Sequence, residues 1–167
     1  MSIWIRAICT QSIGHLAVSD LRRATEQADF LTWAENQDLD EAEGAQAEKA
    51  LRFEGPPGEL GVAQLFYRDS RFIRIERWTG EAARVEILEM LEELEGSSDP
   101  AARRIRDILS RAVETVGFEL KQSDAEGMGW PISWQTAMWL AERGDGLVDA
   151  DGEWWDPRTY EIIWSQR

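Results

Sequence analysis

The sequence predicts an α+β fold, a single domain in which an antiparallel sheet is covered by about four helices, and three observations carry that prediction. Residues 3–8, 62–68 and 72–78 are rich in β-branched and aromatic residues with the two-residue alternation of strands. Residues 20–33, 81–95 and 100–116 carry apolar residues at helical spacing. The stretch 127–157 reads as a helix followed by a β-hairpin and holds five of the nine tryptophans. At 167 residues, without internal repeat, low-complexity tract or linker, the chain suits one domain that buries roughly 70% of its unfolded surface.

In the first strand, Ile3 and Ile5 point one way and Trp4, Arg6 and Ile8 the other. Apolar residues on both faces mark it as central. Residues 11–16 form a loop holding the only histidine, His15. Ser19 is the expected N-cap of a helix over 20–33, with Val18 as a staple and Leu21, Ala24, Ala28 and Leu31 as the buried stripe. Residues 35–48 contain Glu35, Asp38, Asp40, Glu41, Glu43 and Glu48 and no basic residue. They read as a solvated loop or a short alanine-rich helix, with an acidic docking segment as the sharper alternative.

A short strand at 51–54 ends in Gly55-Pro56-Pro57-Gly58, the strongest turn signal in the chain. Strands 62–68 and 72–78 are joined by Asp69-Ser70-Arg71 as a hairpin, where Arg68, Arg71, Arg74 and Arg77 read as sheet-surface charge. Gly96 closes the helix over 81–95, and Asp99-Pro100 opens the next as cap and first residue. For 117–121 helical spacing of Val116 and Leu120 favours continued helix, with a strand as the alternative.

Residues 123–129 read as a loop. The helix over 134–143 takes Ser133 as its cap, Pro131 to hold the incoming chain extended, and Gly144 as its left-handed stop. Its stripe is Trp134, Ala137, Met138 and Ala141. The hairpin pairs 147–150 with 153–156 through a type I′ turn at Asp151-Gly152, and 160–164 reads as a terminal strand. The tryptophans are expected to fill space between layers, since each buries about 150–250 Å².

Charge narrows the function. The net charge is −14 and the isoelectric point is near 4.5. Such a surface repels phosphate backbones and anionic lipid and speeds encounter with basic proteins, so nucleic acid and membrane are not expected partners. No apolar run approaches the ~20 residues of a membrane helix. A lone cysteine and a charged N-terminal stretch without signal-peptide pattern point to the cytoplasm.

Three constellations have residue types that can carry chemistry. Cys9 and His15 follow one strand, but an apolar strand end suits a buried thiol better than a thiolate nucleophile. Asp149, Asp151, Glu153 and Asp156 surround Gly152. A calcium loop in that register would begin at Leu147 and end at Arg158, neither of which is a ligand, and turn chemistry explains the same residues. Glu119-Leu120-Lys121 matches an E-x-K nuclease triplet whose nearest upstream aspartate, Asp107, lies in a helical pattern. No catalytic residue, metal site or cofactor is therefore expected.

The segment L-A-E-R-G-D-G-L-V-D-A-D-G-E-W-W, residues 140–155, resembles the recognition helix and wing of winged-helix regulators. The helix offers Trp139 and Glu142, and the wing is acidic, where DNA requires cations. The whole pattern resembles the small acidic α+β proteins that bacteria encode as immunity partners of secreted toxins. The features that carry this are size, charge, the lone cysteine, an N-terminal strand and helix with hairpins, and the segment L-A-x-x-x-D-G-L-V-D-x-D-G. The resemblance implies a non-catalytic inhibitor that docks carboxylates on a basic effector, such as a toxin. The expected docking residues are Asp149, Asp151, Glu153, Trp154, Trp155 and Asp156, held on a short turn. Asp38, Asp40, Glu41 and Glu43 form a second candidate face. The alternatives are an enzyme with a tryptophan and carboxylate site around 127–157, and a regulator with a winged-helix-like C-terminal end.

Overall fold

The computed structural model describes residues 1–56, 60–69 and 71–166. Eight strands form one antiparallel sheet: β1 (Ile3–Cys9), β2 (Arg52–Glu54), β3 (Val62–Phe66), β4 (Ile73–Thr79), β5 (Glu114–Leu120), β6 (Leu147–Ala150), β7 (Glu153–Asp156) and β8 (Glu161–Ser165). Their order is β2-β3-β4-β5-β1-β6-β7-β8. The two central strands, β1 and β5, come from near the start of the chain and from its last third, so the sheet cannot close until most of the chain is present. The α+β class is as the sequence predicts, and the central position of β1 follows from its two apolar faces.

Helices cover both faces. One core joins Ile5, Ala7 and Cys9 of β1 and Val116, Phe118 and Leu120 of β5 to α6 (Gly129–Arg143). The same core takes in a 3-10 segment, Val18–Thr25, and the pair α1 (Phe30–Asn36) and α2 (Glu41–Ala50). The opposite core joins Ile8, Leu147 and Trp154 to α3 (Gly80–Leu94) and α4 (Pro100–Ser110). A short helix, α5 (Gln122–Ala125), links β5 to α6.

Several sequence expectations are corrected. Residues 114–120 are a strand, not the end of a helix, and α4 stops at Ser110. Val116 and Leu120 are four apart, a spacing that puts both on one face of a helix and equally on one face of a strand. Gly117 is the discriminating residue. A Cβ there would lie 3.0 Å from Trp4 Cζ3, so the bare backbone lets the indole rest across the strand.

The expected helix over 20–33 is two elements. Asp20, not Ser19, organises the start, its carboxylate accepting the Ala17 N–H at 2.9 Å. Asp29 then caps α1 by accepting the N–H groups of Leu31 and Thr32, at 3.1 and 3.2 Å. An interior aspartate that finds free N–H groups ends one helix and starts another.

Helix α6 begins at Gly129, four residues before the expected cap and five before the expected start. Pro131 lies inside its first turn, where a missing N–H costs nothing, and Ser133 is buried within the helix rather than capping it. Residues expected as a loop at 123–129 are thus largely helical. Gly144 has an ordinary φ of −93°, and Asp145 (φ 49°) takes the left-handed position instead. Tyr160 has φ 60° and stands in the turn before β8. Pro57, Gly58 and Ser70 of the two predicted turns lie outside the described residues.

Candidate docking surfaces

The C-terminal hairpin forms with the expected turn. Asp151 (φ 51°) and Gly152 (φ 86°) are both left-handed, and Gly152 N–H donates to Asp149 Oδ1 at 3.0 Å. The six residues expected to dock divide between inside and outside. Asp149 is 6% exposed and lies under α3, with Arg6 Nη1 3.5 Å from its carboxylate. Burial pushes its carboxyl up to about 6, against the Gly152 N–H and Arg6, which pull it down. Trp154 is buried in the α3–α4 core.

Asp156 is buried too. Burial raises its carboxyl, but the Arg158 N–H, the Arg158 guanidinium and Arg104 outweigh that and hold it below the usual range. Arg158 Nε is 3.1 Å away and Arg104 Nη2 3.6 Å. Trp155 is half-buried, edge-on to Trp134 with ring centres 5.2 Å apart. That leaves Asp151 exposed and Glu153 half-exposed. The alternation of a strand sends every second residue inward, and this hairpin has a core on each face.

The other acidic face is built as a helical hairpin. Asp40 caps α2 by accepting the Glu43 N–H at 2.9 Å, and Glu41 and Glu43 sit in the first turn, where the helix dipole favours negative charge. Asp38 takes the left-handed conformation (φ 56°) in the link between α1 and α2. Close packing of the pair depends on Gly44, where a Cβ would stand 2.7 Å from the Phe30 carbonyl oxygen. Phe30 and Ala34 of α1 and Ala47 of α2 are buried in the main core, which fixes the hairpin to the body. An open groove of about 620 Å³ runs along it, lined by Leu31, Glu35, Asp38, Leu39, Asp40 and Glu41. Leu31 is 45% exposed. Asp38, Asp40, Glu41 and Glu43 are all exposed, and no lysine or arginine occurs between Arg23 and Lys49.

Arg6, Arg68 and Arg77, by contrast, are turned inward. Arg77 and Glu114 form a pair with side chains 4% and 2% exposed, Nε to Oε2 2.8 Å, and Glu114 also accepts the Ile13 N–H. Arg6 Nε donates to Glu86 at 2.7 Å, and Glu86 accepts the Thr115 hydroxyl on its other oxygen at 3.2 Å. Burial raises the Glu86 carboxyl, partly offset by Arg6. Arg68 donates to Asp124, and Arg74 bridges Glu76 and Glu119. The Arg68–Arg77 run is therefore not a basic patch. Sequence reading missed these clusters. Their only local signal was a charge in mid-strand, Arg6 and Arg77, flanked by apolar residues.

Cys9 is fully buried, and burial, with Glu114 beside it, pushes its thiol up to about 12, so it stays protonated. His15 is on the surface. Glu119 is engaged by Arg74 and Ser2, and Asp107 pairs with Arg111 on α4. Among the described residues, no group of three or more His, Cys, Asp and Glu side chains is placed to hold a metal ion. No helix among them is long and apolar enough to cross a membrane. Nine of the fifteen residues of α6 are buried, and its outward side carries Gln135, Trp139, Glu142 and Arg143, one cation where a recognition helix presents several. No protein-family model, curated protein or solved structure matches this chain.

Proposed function

We propose that this chain is a non-catalytic protein-binding partner of the immunity or inhibitor kind, which neutralises a basic effector by stoichiometric binding. The observation that carries this reading is the α1–α2 hairpin. It presents Glu35, Asp38, Asp40 and Glu41 around an open groove beside exposed Leu31, on a scaffold anchored to the core. Rigid carboxylates with an apolar anchor bind without the ordering cost a loose acidic loop would incur. Fixed charge of one sign also steers a basic partner and suits a cleft that handles phosphate-rich substrate. The C-terminal hairpin is the lesser face, because Asp149, Trp154 and Asp156 already serve the interior.

The test uses the basic protein that co-purifies with this chain from its native host. One variant carries Asp38→Asn, Asp40→Asn, Glu41→Gln and Glu43→Gln, in which asparagine preserves the α2 cap. The other carries Asp151→Asn and Glu153→Gln. The first should lose at least about tenfold in affinity and most of the salt dependence of its association rate, and the second little. If only the second variant weakened, the docking face would be the C-terminal hairpin. If neither did, or if no basic protein co-purified, electrostatic docking would be the wrong function.

A further inference from the structure

We propose that the outer face of α3 and α4 is a self-association surface, on which a second copy of this chain seats by two-fold symmetry with each α3 lying over the other copy's α4. Val85 and Leu88 on α3 are each 51% exposed, and Val113, just beyond α4, is 49% exposed. Between the two helices runs an open groove of about 760 Å³, whose lining includes Leu88, Leu91, Leu109 and Val113 with Glu81 and Arg84 of α3 at its edge. Leu88 and Val113 line that groove, and Val85 stands three residues before Leu88 on the same helix, so the three make a patch rather than scattered exposure.

Charge selects the occupant. The exposed charges of α3 are Glu81, Arg84, Glu89, Glu92 and Glu93, four negative and one positive, or −3. Those of α4 with the residue after it are Arg103, Arg104, Asp107 and Arg111, three positive and one negative, or +2. The groove thus runs between an acidic helix ridge and a basic helix ridge. Such a surface complements itself. A two-fold axis along the groove sets each acidic α3 over a basic α4, whereas an axis across it would set like ridges together. A uniformly basic effector is attracted by one ridge and repelled by the other, so a second copy fits better. The net charge of −14 on each copy opposes approach, but charges more than ~8 Å apart are largely screened at physiological ionic strength. The α1–α2 hairpin belongs to the core on the other sheet face, so the dimer leaves both acidic hairpins open.

Sedimentation velocity on the full chain, at roughly 100 μM and about 0.15 M salt, tests this without any partner. The expected species has twice the 19.1 kDa chain mass. Leu88→Glu, at an exposed position, should weaken the dimer at least about tenfold with unchanged circular dichroism. Glu89→Arg with Glu92→Arg should weaken it likewise, and adding Arg103→Glu with Arg111→Glu should restore it, because the pairs are swapped rather than lost. A wild-type monomer at that concentration would overturn the proposal and leave the groove to another protein. So would a dimer indifferent to Leu88→Glu, a charge swap that fails to restore association, or species that grow beyond a dimer, since an isologous contact closes.

Discussion

Asp149 shows what a single buried charge does to this protein. Its carboxyl is raised from an ordinary value of 3.8 to about 6, first by burial. Between those values the folded chain binds a proton that the unfolded chain does not, so this group's contribution to stability falls as pH rises through that window. A shift of about two units corresponds to about 3 kcal/mol. Glu86, raised by the same cause and sharing Arg6, adds in the same direction. Replacing Asp149 by asparagine should therefore remove up to ~3 kcal/mol of the fall in stability between about pH 4 and about pH 7. Any constant cost from the lost Arg6 contact would move the whole curve without changing its slope. Urea midpoints at the two pH values measure it, and parallel curves for wild type and variant would refute the assignment. The buried Arg77–Glu114 pair is of the other kind. Each partner neutralises the other, and the Ile13 N–H occupies a further carboxylate site.

Among the elements, the α1–α2 hairpin depends most on one small residue. A methyl group at residue 44 would meet the Phe30 carbonyl oxygen at 2.7 Å and the Ala34 Cβ at 3.0 Å, and backbone cannot swing away as a side chain can. Gly44→Ala gains helix propensity worth about 1 kcal/mol, but overpacking of this sort costs roughly 1–3 kcal/mol. The net expectation is a destabilised or splayed hairpin. Hydrogen exchange should then show faster opening of residues 30–50 while β1 and β5 keep their protection. Slower exchange across 30–50 would show that the helices can part to accept the methyl. The same helices set the docking face, so a splayed pair should also bind the basic partner less tightly.

At the scale of the whole molecule the distribution of charge outweighs its total. Arginines at positions 6, 68 and 77 are spent on inward-facing pairs, and the surplus of carboxylates remains outside. Carboxylates facing solvent in such excess repel one another in the compact state. Raising the salt from about 10 mM to about 150 mM shortens the screening length from ~30 Å to ~8 Å, and should raise the melting temperature by a few degrees. A melting temperature that fell over this range would mean that the buried ion pairs, and not surface repulsion, dominate the response to salt. The tryptophans complete this picture. Trp154 alone is fully inside, and the other eight are half-buried: seven pack along the margins of the two cores, and Trp4 lies against Trp78.

Local chemistry determined a good part of this structure. Alternating apolar residues in β1, left-handed residues at Asp151-Gly152, and the Asp99-Pro100 start of α4 are signals that act within a few residues, and each appears as expected. Other features could not be read locally. Val116 and Leu120 fit helix and strand alike, and pairing of β5 with β1 and β4 decided between them. Ser133 and Gly144 have the chemistry of helix ends, yet burial against the sheet extends α6 past one and holds the other in an ordinary conformation. The acidic residues follow the same division. Sequence alone determined that this protein is strongly negative and that its carboxylates gather at 35–48 and 149–156. Only the tertiary structure decided which of them face water. The strand of a two-faced sheet must send alternate side chains into a core, whereas the outer side of a helical hairpin need not.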